Sequence, residues 1–239
     1  MKVKVIGSGS MWNEYNSACF LIDNDIMVDM PNGACKYLYR HNIDPSSINH
    51  VLLTHFHGDH FFDVPFYILN KSKHQSTKTM IYCYKGGKKK LKNICFLAFP
   101  NSYIDAFKES NASYICDDAF KIKKYDIERI EVDHGRLKPS FGYIIKEKDL
   151  VVGFTGDTSL CPAVEKMASI CSHLFCDCMH IVGTNKHQGI DNLKFLTNKY
   201  KKCTFYPIHM DNETRKKLEE LKLDNVIIPE DGDAYLLNT

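Results

Sequence analysis

The chain has 239 residues, of which 44% are hydrophobic and 25% are charged. These proportions are typical of a globular protein and exclude disorder, collagen and coiled coil as descriptions of the whole chain. The 31 Lys and Arg residues nearly balance the 29 Asp and Glu residues, so a net charge of +2 gives no argument for nucleic acid or a membrane surface. Lys2 and Lys4 interrupt the apolar residues at the beginning of the sequence, so we expect no signal peptide. No apolar run elsewhere is long enough to predict a membrane-spanning helix. The ten scattered cysteines predict free thiols in a reducing, cytoplasmic protein.

Short strands and helices alternate along the chain. Strand signals are apolar or alternating runs bounded by turn residues, and helix signals are longer stretches with apolar positions three and four apart. No repeat or linker appears, so we expect a single domain over residues 1–239, of the α/β class, with two sheets covered by helices. In chain order, the predicted elements are strands at 2–6, 18–22 and 26–29, a helix at 34–41, strands at 48–54 and 79–84, a helix at 88–99, strands within 119–132 and at 141–145, 150–155 and 169–179, a helix at 191–200, a strand at 203–208, a helix at 212–221 and a strand pair within 225–237.

One segment carries a strong positive charge. Residues 64–104 include no Asp or Glu, and because the whole chain carries +2, the residues outside the segment carry −6. We interpret the lysines as a solvated helix face, with a surface for a polyanion or a phosphate-bearing ligand as the alternative. The eight lysines of this basic segment are Lys71, Lys73, Lys78, Lys85, Lys88, Lys89, Lys90 and Lys92.

A histidine run follows the apolar strand near residue 53. His55, His57, Asp59 and His60 fall within six positions, with Gly58 among them as a turn residue. Imidazole nitrogens and carboxylate oxygens are ligands that suit Zn²⁺ and similar ions. Four such donors exceed what one catalytic ion usually takes from one segment, so the run predicts two ions about 3.5–4 Å apart with further ligands elsewhere.

This His-x-His-x-Asp-His run resembles the signature of the metallo-β-lactamase fold superfamily of metal-dependent hydrolases. The likeness continues along the chain, in Gly7-Ser-Gly-Ser10 and in Met27-Val-Asp-Met-Pro-Asn-Gly33. The resemblance implies an αββα sandwich in which two mixed sheets are flanked by helices. It also implies two divalent ions, with zinc favoured and manganese as the alternative.

Three later residues look like the remaining ligands of that superfamily. They are His134, in Val132-Asp-His-Gly, Asp157, in Phe154-Thr-Gly-Asp-Thr, and His209, in Tyr206-Pro-Ile-His. The resemblance implies that Asp157 bridges the two ions. It assigns His55, His57, His134 and Asp157 to one ion, and Asp59, His60, Asp157 and His209 to the other.

The residues around these ligands are similar to those of the transfer-RNA 3′-processing endonucleases called tRNase Z and of their phosphodiesterase relatives. Ser140-Phe-Gly-Tyr143 follows the third histidine, and we assign Ser140 and Tyr143 to substrate binding by this likeness. His187 stands where those enzymes carry a histidine that protonates the leaving oxygen, a role for which an imidazolium is suited. His187 and Asp59 are therefore the predicted catalytic residues.

The interval between His134 and Asp157 departs from the tRNase Z pattern. It spans only 23 residues, enough for two strands and a turn, whereas bacterial tRNase Z enzymes carry there a long arm that grips transfer RNA. The chain is similar in size and motif layout to the armless phosphodiesterases, which include the anti-Pycsar proteins that cleave cyclic mononucleotide signals. The resemblance implies a homodimer that acts on a small phosphodiester, with nucleic acid less favoured and no membrane partner.

The predicted activity is therefore hydrolysis of a small or cyclic nucleotide phosphodiester by a metal-bridging hydroxide. Three other functions stay open. They are a tRNase Z-like endoribonuclease that uses the basic segment in place of the arm, a lactonase or thioesterase, and a metal-binding module without turnover.

Two further groups of residues have a plainer interpretation. Cys171, Cys176 and Cys178 lie near two histidines, but their spacing forms no Cys-x-x-Cys pair, so we expect buried thiols rather than a third metal site. Five aromatic residues near the motifs offer surfaces for base stacking, although core positions are the more typical use of such side chains. These residues are Trp12, Phe56, Phe61, Phe62 and Tyr143.

Overall fold

A computed structural model describes residues 1–74, 79–102, 105 and 112–238. Two β-sheets face each other, and each is covered by helices on its outer side. Within the described residues, the first sheet runs in the order β13 (Ala234–Leu236), β1 (Lys2–Gly7), β2 (Cys19–Ile22), β3 (Ile26–Val28), β4 (His50–Leu52), β5 (Thr79–Tyr82) and β6 (Ala112–Ile115). The second runs in the order β12 (Thr204–Ile208), β11 (His173–Asp177), β10 (Leu150–Phe154), β9 (Ser140–Glu147), β8 (Tyr125–Val132) and β7 (Ala119–Ile122).

The helices lie between and after these strands. Seven α-helices fall in the described ranges, together with a short 3₁₀ turn at Pro45–Ser47. The helices are α1 (Ala34–Arg40), α2 (Gly58–Phe61), α3 (Val64–His74), α4 (Gly87–Ala98), α5 (Pro162–Ile170), α6 (Ile190–Lys199) and α7 (Asn212–Leu221).

Both sheets are mixed. In the first sheet, β3 to β6 pair in parallel, and the pairs β13–β1, β1–β2 and β2–β3 are antiparallel. In the second sheet, β7 to β10 pair antiparallel, and β10, β11 and β12 are parallel. The αββα sandwich with two mixed sheets is therefore confirmed.

The central core lies between the two sheets. The ring of Phe20 in β2 lies 5.1 Å from that of Phe154 in β10 and 4.9 Å from that of Phe175 in β11, measured between centroids. The neighbours Cys19 and Leu21 point to the opposite face, because side chains alternate along a strand, and they pack in the core beneath the helices. Both faces of β2 are thus buried, which explains its uniformly apolar sequence.

Three helices and one strand of the structure were not predicted from the sequence. The helices α2, α3 and α5 and the strand β6 are present without having been predicted. Pro65 and Pro162 occupy the first turns of α3 and α5, where the missing N–H costs no helical hydrogen bond, and this placement was a usable signal.

Two predicted elements need correction. The strand predicted at 169–179 is shorter, because residues 169 and 170 end α5 and the strand begins at His173. The strand pair predicted within 225–237 is a single strand, β13, preceded by an isolated bridge between Phe205 and Val226. Pro229, which lacks an N–H, and Gly232, at φ 99°, break the run between them.

The basic segment is not one continuous face. Lys71 is buried, and its Nζ donates hydrogen bonds to the carbonyl oxygen of Ser46 at 2.7 Å and to Oδ1 of Asn49 at 3.1 Å. The interpretation as a solvated face is wrong for this residue. Lys78 and residues 103–104 lie outside the described ranges. The other six lysines are exposed: Lys73, Lys85, Lys88, Lys89, Lys90 and Lys92.

All ten cysteines carry free thiols, and eight of them are buried. Cys171, Cys176 and Cys178 pack with the apolar residues between the second sheet and its helices. Burial raises the pKa of the Cys176 and Cys178 thiols well above the ordinary value, so both are protonated at neutral pH. Among the described helices, none is long and apolar enough to cross a bilayer.

The direction of the strands gathers polar residues at one edge of the sandwich. Because β8 and β10 both pair antiparallel with β9, they run in the same direction, and β11 and β12 run parallel with them. The carboxyl ends of all four strands therefore meet at one edge. His134 follows β8 there, Asp157 follows β10, Asp177 ends β11 and His209 follows β12.

Candidate metal centre

The first half of the centre combines the histidine run with residues of the second sheet. Nδ1 of His57 lies 3.2 Å from Nε2 of His55 and 3.2 Å from Nε2 of His134. A carboxylate oxygen of Asp157 lies 3.7 Å from Nε2 of His55 and 4.0 Å from Nε2 of His134. Each of the four residues offers one donor atom, and all four atoms lie within 4.8 Å of one another.

The second half shares the same aspartate. Oδ1 of Asp157 lies 3.3 Å from Nε2 of His60, and its Oδ2 lies 3.3 Å from Nε2 of His209. Asp59 completes this half, with Oδ2 at 3.3 Å from Nε2 of His209 and 3.8 Å from Nε2 of His60. The seven predicted residues thus form two groups of donors that meet at Asp157.

The spacing of these donors fits shared metal ions. Two ligands bound at about 2.0–2.1 Å to one tetrahedral zinc ion lie about 3.3–3.4 Å apart, close to the separations of 3.2 and 3.3 Å found here. Within the described chain, three buried atoms at this place have no hydrogen-bond partner: Oδ1 of Asp59, Nε2 of His60 and Nδ1 of His209. Buried polar atoms are rarely left unpaired, so the centre has the chemistry of an ion site.

The electrostatics of the centre also call for a cation. Burial lowers the pKa of the His55 imidazole well below its ordinary value, and His60 lowers it further, so His55 is a neutral donor. Burial alone would raise the pKa of the Asp157 carboxyl, but His209 and His60 hold it well below its ordinary value. Burial alone would lower the pKa of His60, yet Asp157 and Asp29 raise it well above the ordinary value. The buried carboxylates of Asp157 and Asp29 thus favour a positive charge at the centre.

Asp29 holds the second half of the centre in place. Its Oδ2 accepts a hydrogen bond from Nδ1 of His60 at 2.7 Å, which leaves Nε2 of that ring for an ion. The same carboxylate accepts from the backbone N–H of Thr54 at 2.8 Å and from its hydroxyl at 2.7 Å. The backbone of Asp29 lies in the left-handed region at φ 61°, and that of His209 does so at φ 58°. Such strain in residues other than glycine concentrates at functional sites.

His187 stands against both halves with its ring fixed. Nδ1 lies 2.8 Å from Oδ2 of Asp177, a fully buried carboxylate that also accepts from the backbone N–H of Thr158 at 2.8 Å. The ring of His187 stacks on that of His209, with centroids 5.2 Å apart and an angle of 7°, and meets the ring of His134 edge-on at 4.8 Å. Since Nδ1 donates to Asp177, Nε2 is the nitrogen available to the centre.

Comparison with known proteins decides the family. A family model described as anti-Pycsar protein Apyc1 matches residues 1–224. The chain belongs to the Apyc1 family. This result confirms the resemblance that the histidine run predicted.

Curated relatives of the chain include ribonuclease Z enzymes. The ribonuclease Z of Pyrococcus horikoshii is 32% identical over 127 residues, which cover 52% of this chain and 39% of that enzyme. The ribonuclease Z of Geobacillus kaustophilus is 31% identical over 109 residues, which cover 45% of this chain and 34% of that enzyme. The chain thus matches well under half of the length of these relatives.

Solved structures share the fold of the chain over nearly its whole length. A diphosphatase from the PhnP family has a TM-score of 0.79 at 16% identity and covers 99% of this chain and 98% of its own. The short form of human tRNase Z has a TM-score of 0.75 at 15% identity and covers both chains completely. At such low identity these likenesses show the fold alone, which is the metallo-β-lactamase fold.

Ser140 and Tyr143, the predicted substrate contacts, are both buried. Tyr143 is fully buried, and its hydroxyl donates to the carbonyl oxygen of Leu53 at 2.8 Å. The hydroxyl of Ser140 donates to the carbonyl oxygen of Leu137 at 3.0 Å. The hydroxyl of Tyr143 thus ties β9 to the segment after β4, whereas that of Ser140 bonds only to the turn before β9. The structure does not bring these two side chains among the donor groups.

The aromatic residues near the motifs divide between core and surface. Phe61 is buried and Phe56 is half-buried, as expected. For Trp12 and Phe62 the preference for a core position is wrong, because their side chains are 80% and 46% exposed. Trp12 lies in the loop after β1, whose Ser10 N–H donates to the carbonyl oxygen of Met210 at 3.2 Å, next to His209.

Two residues beside the centre were assigned no role in the prediction from sequence. Asp29 and Asp177 each end an apolar strand, and their carboxylates orient His60 and His187. An aspartate that directly follows a buried strand was the available signal. Their partners could not be deduced, because only the pairing of the strands brings them together.

Proposed function

We propose that this protein is a dinuclear metal-dependent phosphodiesterase that hydrolyses a small or cyclic nucleotide. The observation that carries the proposal is that two donor groups lie side by side, His55, His57, His134 and Asp157 in one and Asp59, His60 and His209 in the other, with Asp157 within 3.3 Å of both histidines of the second group. In the proposal, one ion is held by His55, His57, His134 and Asp157, and the other by Asp59, His60, Asp157 and His209. Zinc suits this set of imidazole and carboxylate donors, and manganese is the second choice.

When bound, two such ions supply a hydroxide at neutral pH and neutralise charge on the phosphoryl oxygens. The protein's own part is to fix the geometry. Oδ1 of Asp59 is buried and has no hydrogen-bond partner in the described chain, and we assign to it the proton of the attacking water. Asp29 and Thr54 keep His60 in one orientation.

His187 is the proposed proton donor to the leaving oxygen. A ribose alkoxide departs slowly at neutral pH unless a nearby acid protonates it, and such general acid catalysis contributes about 10²–10⁴-fold. Asp177 accepts from Nδ1 of His187 and so leaves Nε2 as the nitrogen from which the imidazolium form would donate its proton. Opening of a cyclic 3′,5′-phosphodiester in this way gives a nucleoside monophosphate.

The short connection between His134 and Asp157 supports a small substrate. It consists of β9, a tight turn at Lys148 with φ 55°, and β10, so no arm for transfer RNA extends from it. The exposed indole of Trp12, in a loop hydrogen-bonded beside His209, offers a flat surface for a base. A homodimer is the proposed assembly, by likeness to the family.

A tRNase Z-like endoribonuclease is the second candidate, since ribonuclease Z enzymes are among the relatives. Exposed lysines at the start of α4, with Lys90 over the rings of Phe56 and Tyr84 at 5.4 and 5.5 Å, would then contact the RNA backbone. Binding through several phosphates would weaken steeply with added salt.

A substrate panel tests the proposal. Zinc-loaded and manganese-loaded protein is incubated with cyclic mononucleotides, bis(p-nitrophenyl) phosphate, precursor transfer RNA and a lactone. We expect the cyclic nucleotides and the activated diester to be cleaved, with little dependence on salt. Cleavage of the lactone alone would mean a lactonase or thioesterase, cleavage of the RNA alone a tRNase Z, and inertness towards the whole panel a metal-binding module.

A further inference from the structure

We propose that Asp231 is a positioning residue for the metal centre, and that it acts through Ser8 on the backbone of His209. The inference rests on the dinuclear centre proposed above and adds the segment before β13 to the parts of the chain that determine its geometry. Asp231 lies outside residues 1–224, the part of the chain that the family model matches. The role of Asp231 therefore follows from its contacts alone.

The ring of His209 lacks the outer partner that two other histidines of the centre have. Nδ1 of His60 donates to Oδ2 of Asp29 at 2.7 Å, and Nδ1 of His134 lies 2.9 Å from a backbone carbonyl oxygen. Nδ1 of His209 is buried and has no hydrogen-bond partner in the described chain. Outer partners of this kind normally orient a metal-ligating imidazole. The orientation of the His209 ring therefore depends on its backbone and on its stacking against His187.

The backbone of His209 has an unusual conformation. It lies in the left-handed region at φ 58°, and such a conformation persists in a residue other than glycine only where the surrounding structure enforces it. The N–H of His209 donates to the carbonyl oxygen of Ser8 at 2.8 Å, and the N–H of Ser10 donates to the carbonyl oxygen of Met210 at 3.2 Å. The segment after β1 thus runs beside the segment after β12 and holds His209 in this conformation.

Asp231 fixes the loop that contains Ser8. Its Oδ1 accepts from the backbone N–H of Ser8 at 2.9 Å and from the hydroxyl at 3.1 Å. Its Oδ2 accepts from the backbone N–H of Asn16 at 2.7 Å and from Nδ2 at 2.9 Å. One carboxylate thus closes both ends of the loop between β1 and β2. Its loss would release the carbonyl oxygen of Ser8 that holds His209.

Arg215 holds the hydroxyl of Ser8 from another direction. Both side chains are buried, and Nη2 of Arg215 donates to Oγ of Ser8 at 2.8 Å and to the carbonyl oxygen of Pro229 at 3.0 Å. Nη1 donates to Oε1 of Glu230 at 2.9 Å. Hydrogen bonds to charged groups are stronger than those between neutral groups. A cation on α7 and the carboxylate of Asp231 therefore determine the position of Ser8 together.

Zinc titration of metal-stripped protein tests this inference without requiring turnover. Asp231→Asn keeps the size of the side chain but replaces one accepting oxygen by an amide that donates, towards groups that also donate. We expect one zinc site to lose about 5–50-fold in affinity, since loss of a direct outer partner costs about 10–100-fold and Asp231 acts at one remove. The other zinc site should keep its affinity.

Asp233→Asn is the matched control, because Asp233 is a neighbouring aspartate with contacts only in its own segment. Its Oδ2 accepts from the N–H of Glu230 at 2.9 Å and from the hydroxyl of Tyr235 at 2.7 Å. Both of its zinc affinities should equal those of the wild type. Ser8→Ala, which removes only the hydroxyl, tests the same connection if Asp231→Asn does not fold, and it should weaken the same single site.

A purely structural role for Asp231 would give a different result. The metal-free variants would then melt at a lower temperature while both zinc affinities stayed as in the wild type, and this outcome would overturn the inference. Equal losses at the two zinc sites, or an equal loss in Asp233→Asn, would also overturn it. Binding of fewer than two ions by the wild type would instead refute the proposed dinuclear centre, and this inference with it.

Discussion

Asp157 joins the two halves of the centre. One of its oxygens faces His60 and the other faces His209 and His55, at 3.3, 3.3 and 3.7 Å. Those imidazoles keep a fully buried carboxylate ionised, which burial alone would oppose. Removal of one member of such a buried charged group leaves the others uncompensated, so the centre depends on this residue more than on any single histidine.

Asp29 gives a prediction about metal affinity. Substitution Asp29→Asn replaces the acceptor that holds Nδ1 of His60 by an amide and weakens the orientation of the ring. Loss of such an outer partner typically costs 10–100-fold in affinity. Zinc titration of the variant should therefore show one weakened site of the two, with the other unchanged.

Asp63→Asn is the matched control for that experiment. Asp63 is buried as well, but its carboxylate accepts from the backbone N–H of Cys35 at 2.8 Å and not from an imidazole of the centre. The Asp63→Asn variant should therefore bind zinc as the wild type does. Equal loss of affinity in both variants would mean that Asp29 acts on the general fold and does not position His60.

His187 gives a prediction about the leaving group. His187→Ala should retain both ions yet slow the cleavage of cyclic nucleotides, whose leaving alkoxide needs a proton, by about 10²–10⁴-fold. Cleavage of bis(p-nitrophenyl) phosphate should change much less, because p-nitrophenolate leaves without protonation. Asp177→Asn should show the same pattern more weakly. Equal slowing of the two substrates would refute the role of proton donor.

At the scale of elements, the loop between β1 and β2, which carries Trp12, is fastened beside His209. Nδ2 of Asn13 donates to the carbonyl oxygen of Met210 at 2.6 Å, and the N–H of Ser10 donates to the same oxygen at 3.2 Å. The loop is therefore fastened to the turn that carries His209. An exposed indole on a fastened loop offers a flat surface on which a base can stack.

Trp12 is the single tryptophan of the chain, so its fluorescence reports on this loop alone. A nucleotide that stacks on the indole should quench the emission. Trp12→Ala should raise KM by about 5–150-fold, since stacking on one base contributes about 1–3 kcal/mol. Phe195→Ala, which removes an exposed ring on α6, should leave KM unchanged. Emission that does not respond to saturating nucleotide would contradict base stacking at this residue.

The contact between α3 and the 3₁₀ turn gives a prediction about pH. Burial lowers the pKa of Lys71 to about 8 from the ordinary value of 10.5. Between these values the unfolded chain binds more protons at this residue than the folded chain, so its contribution to the free energy of unfolding rises with pH. The difference in this free energy between wild type and Lys71→Met should therefore shift in favour of the wild type from pH 8 to pH 10. The exposed neighbour substitution Lys73→Met should show no such trend, and a difference that is independent of pH for Lys71 would contradict the assignment.

The sequence predicted those parts of the centre that depend on local spacing. His55, His57, Asp59 and His60 stand close enough in the chain to indicate ion binding by themselves, and the order of the later motifs added three more residues. Lys71 and Trp12 show what spacing cannot give. Lys71 is buried because α3 packs on the 3₁₀ turn. Trp12 is exposed because the loop that carries it is hydrogen-bonded to Met210, far along the chain. Both depend on contacts between distant segments.

At the scale of the whole molecule, the centre draws on both halves of the sandwich. His55 to His60 follow β4 of the first sheet, whereas His134, Asp157 and His209 follow strands of the second. Ions bound there would tie the two sheets together. Since a ligand that binds only the folded chain raises the free energy of unfolding, bound ions would stabilise the fold. The organisation of the molecule and its proposed chemistry thus depend on the same edge of the sandwich.

The stoichiometry of activation tests this account most directly. Metal-stripped protein is titrated with zinc, and the ions bound per chain and the cleavage of a 3′,5′-cyclic nucleotide are measured at each step. We predict that the wild type binds two ions per chain and that cleavage rises as the second ion binds. The Asp157→Ala variant should lose both the binding of two ions and the cleavage. Saturation at a single ion, or two bound ions without cleavage of the cyclic diester, would contradict the proposal.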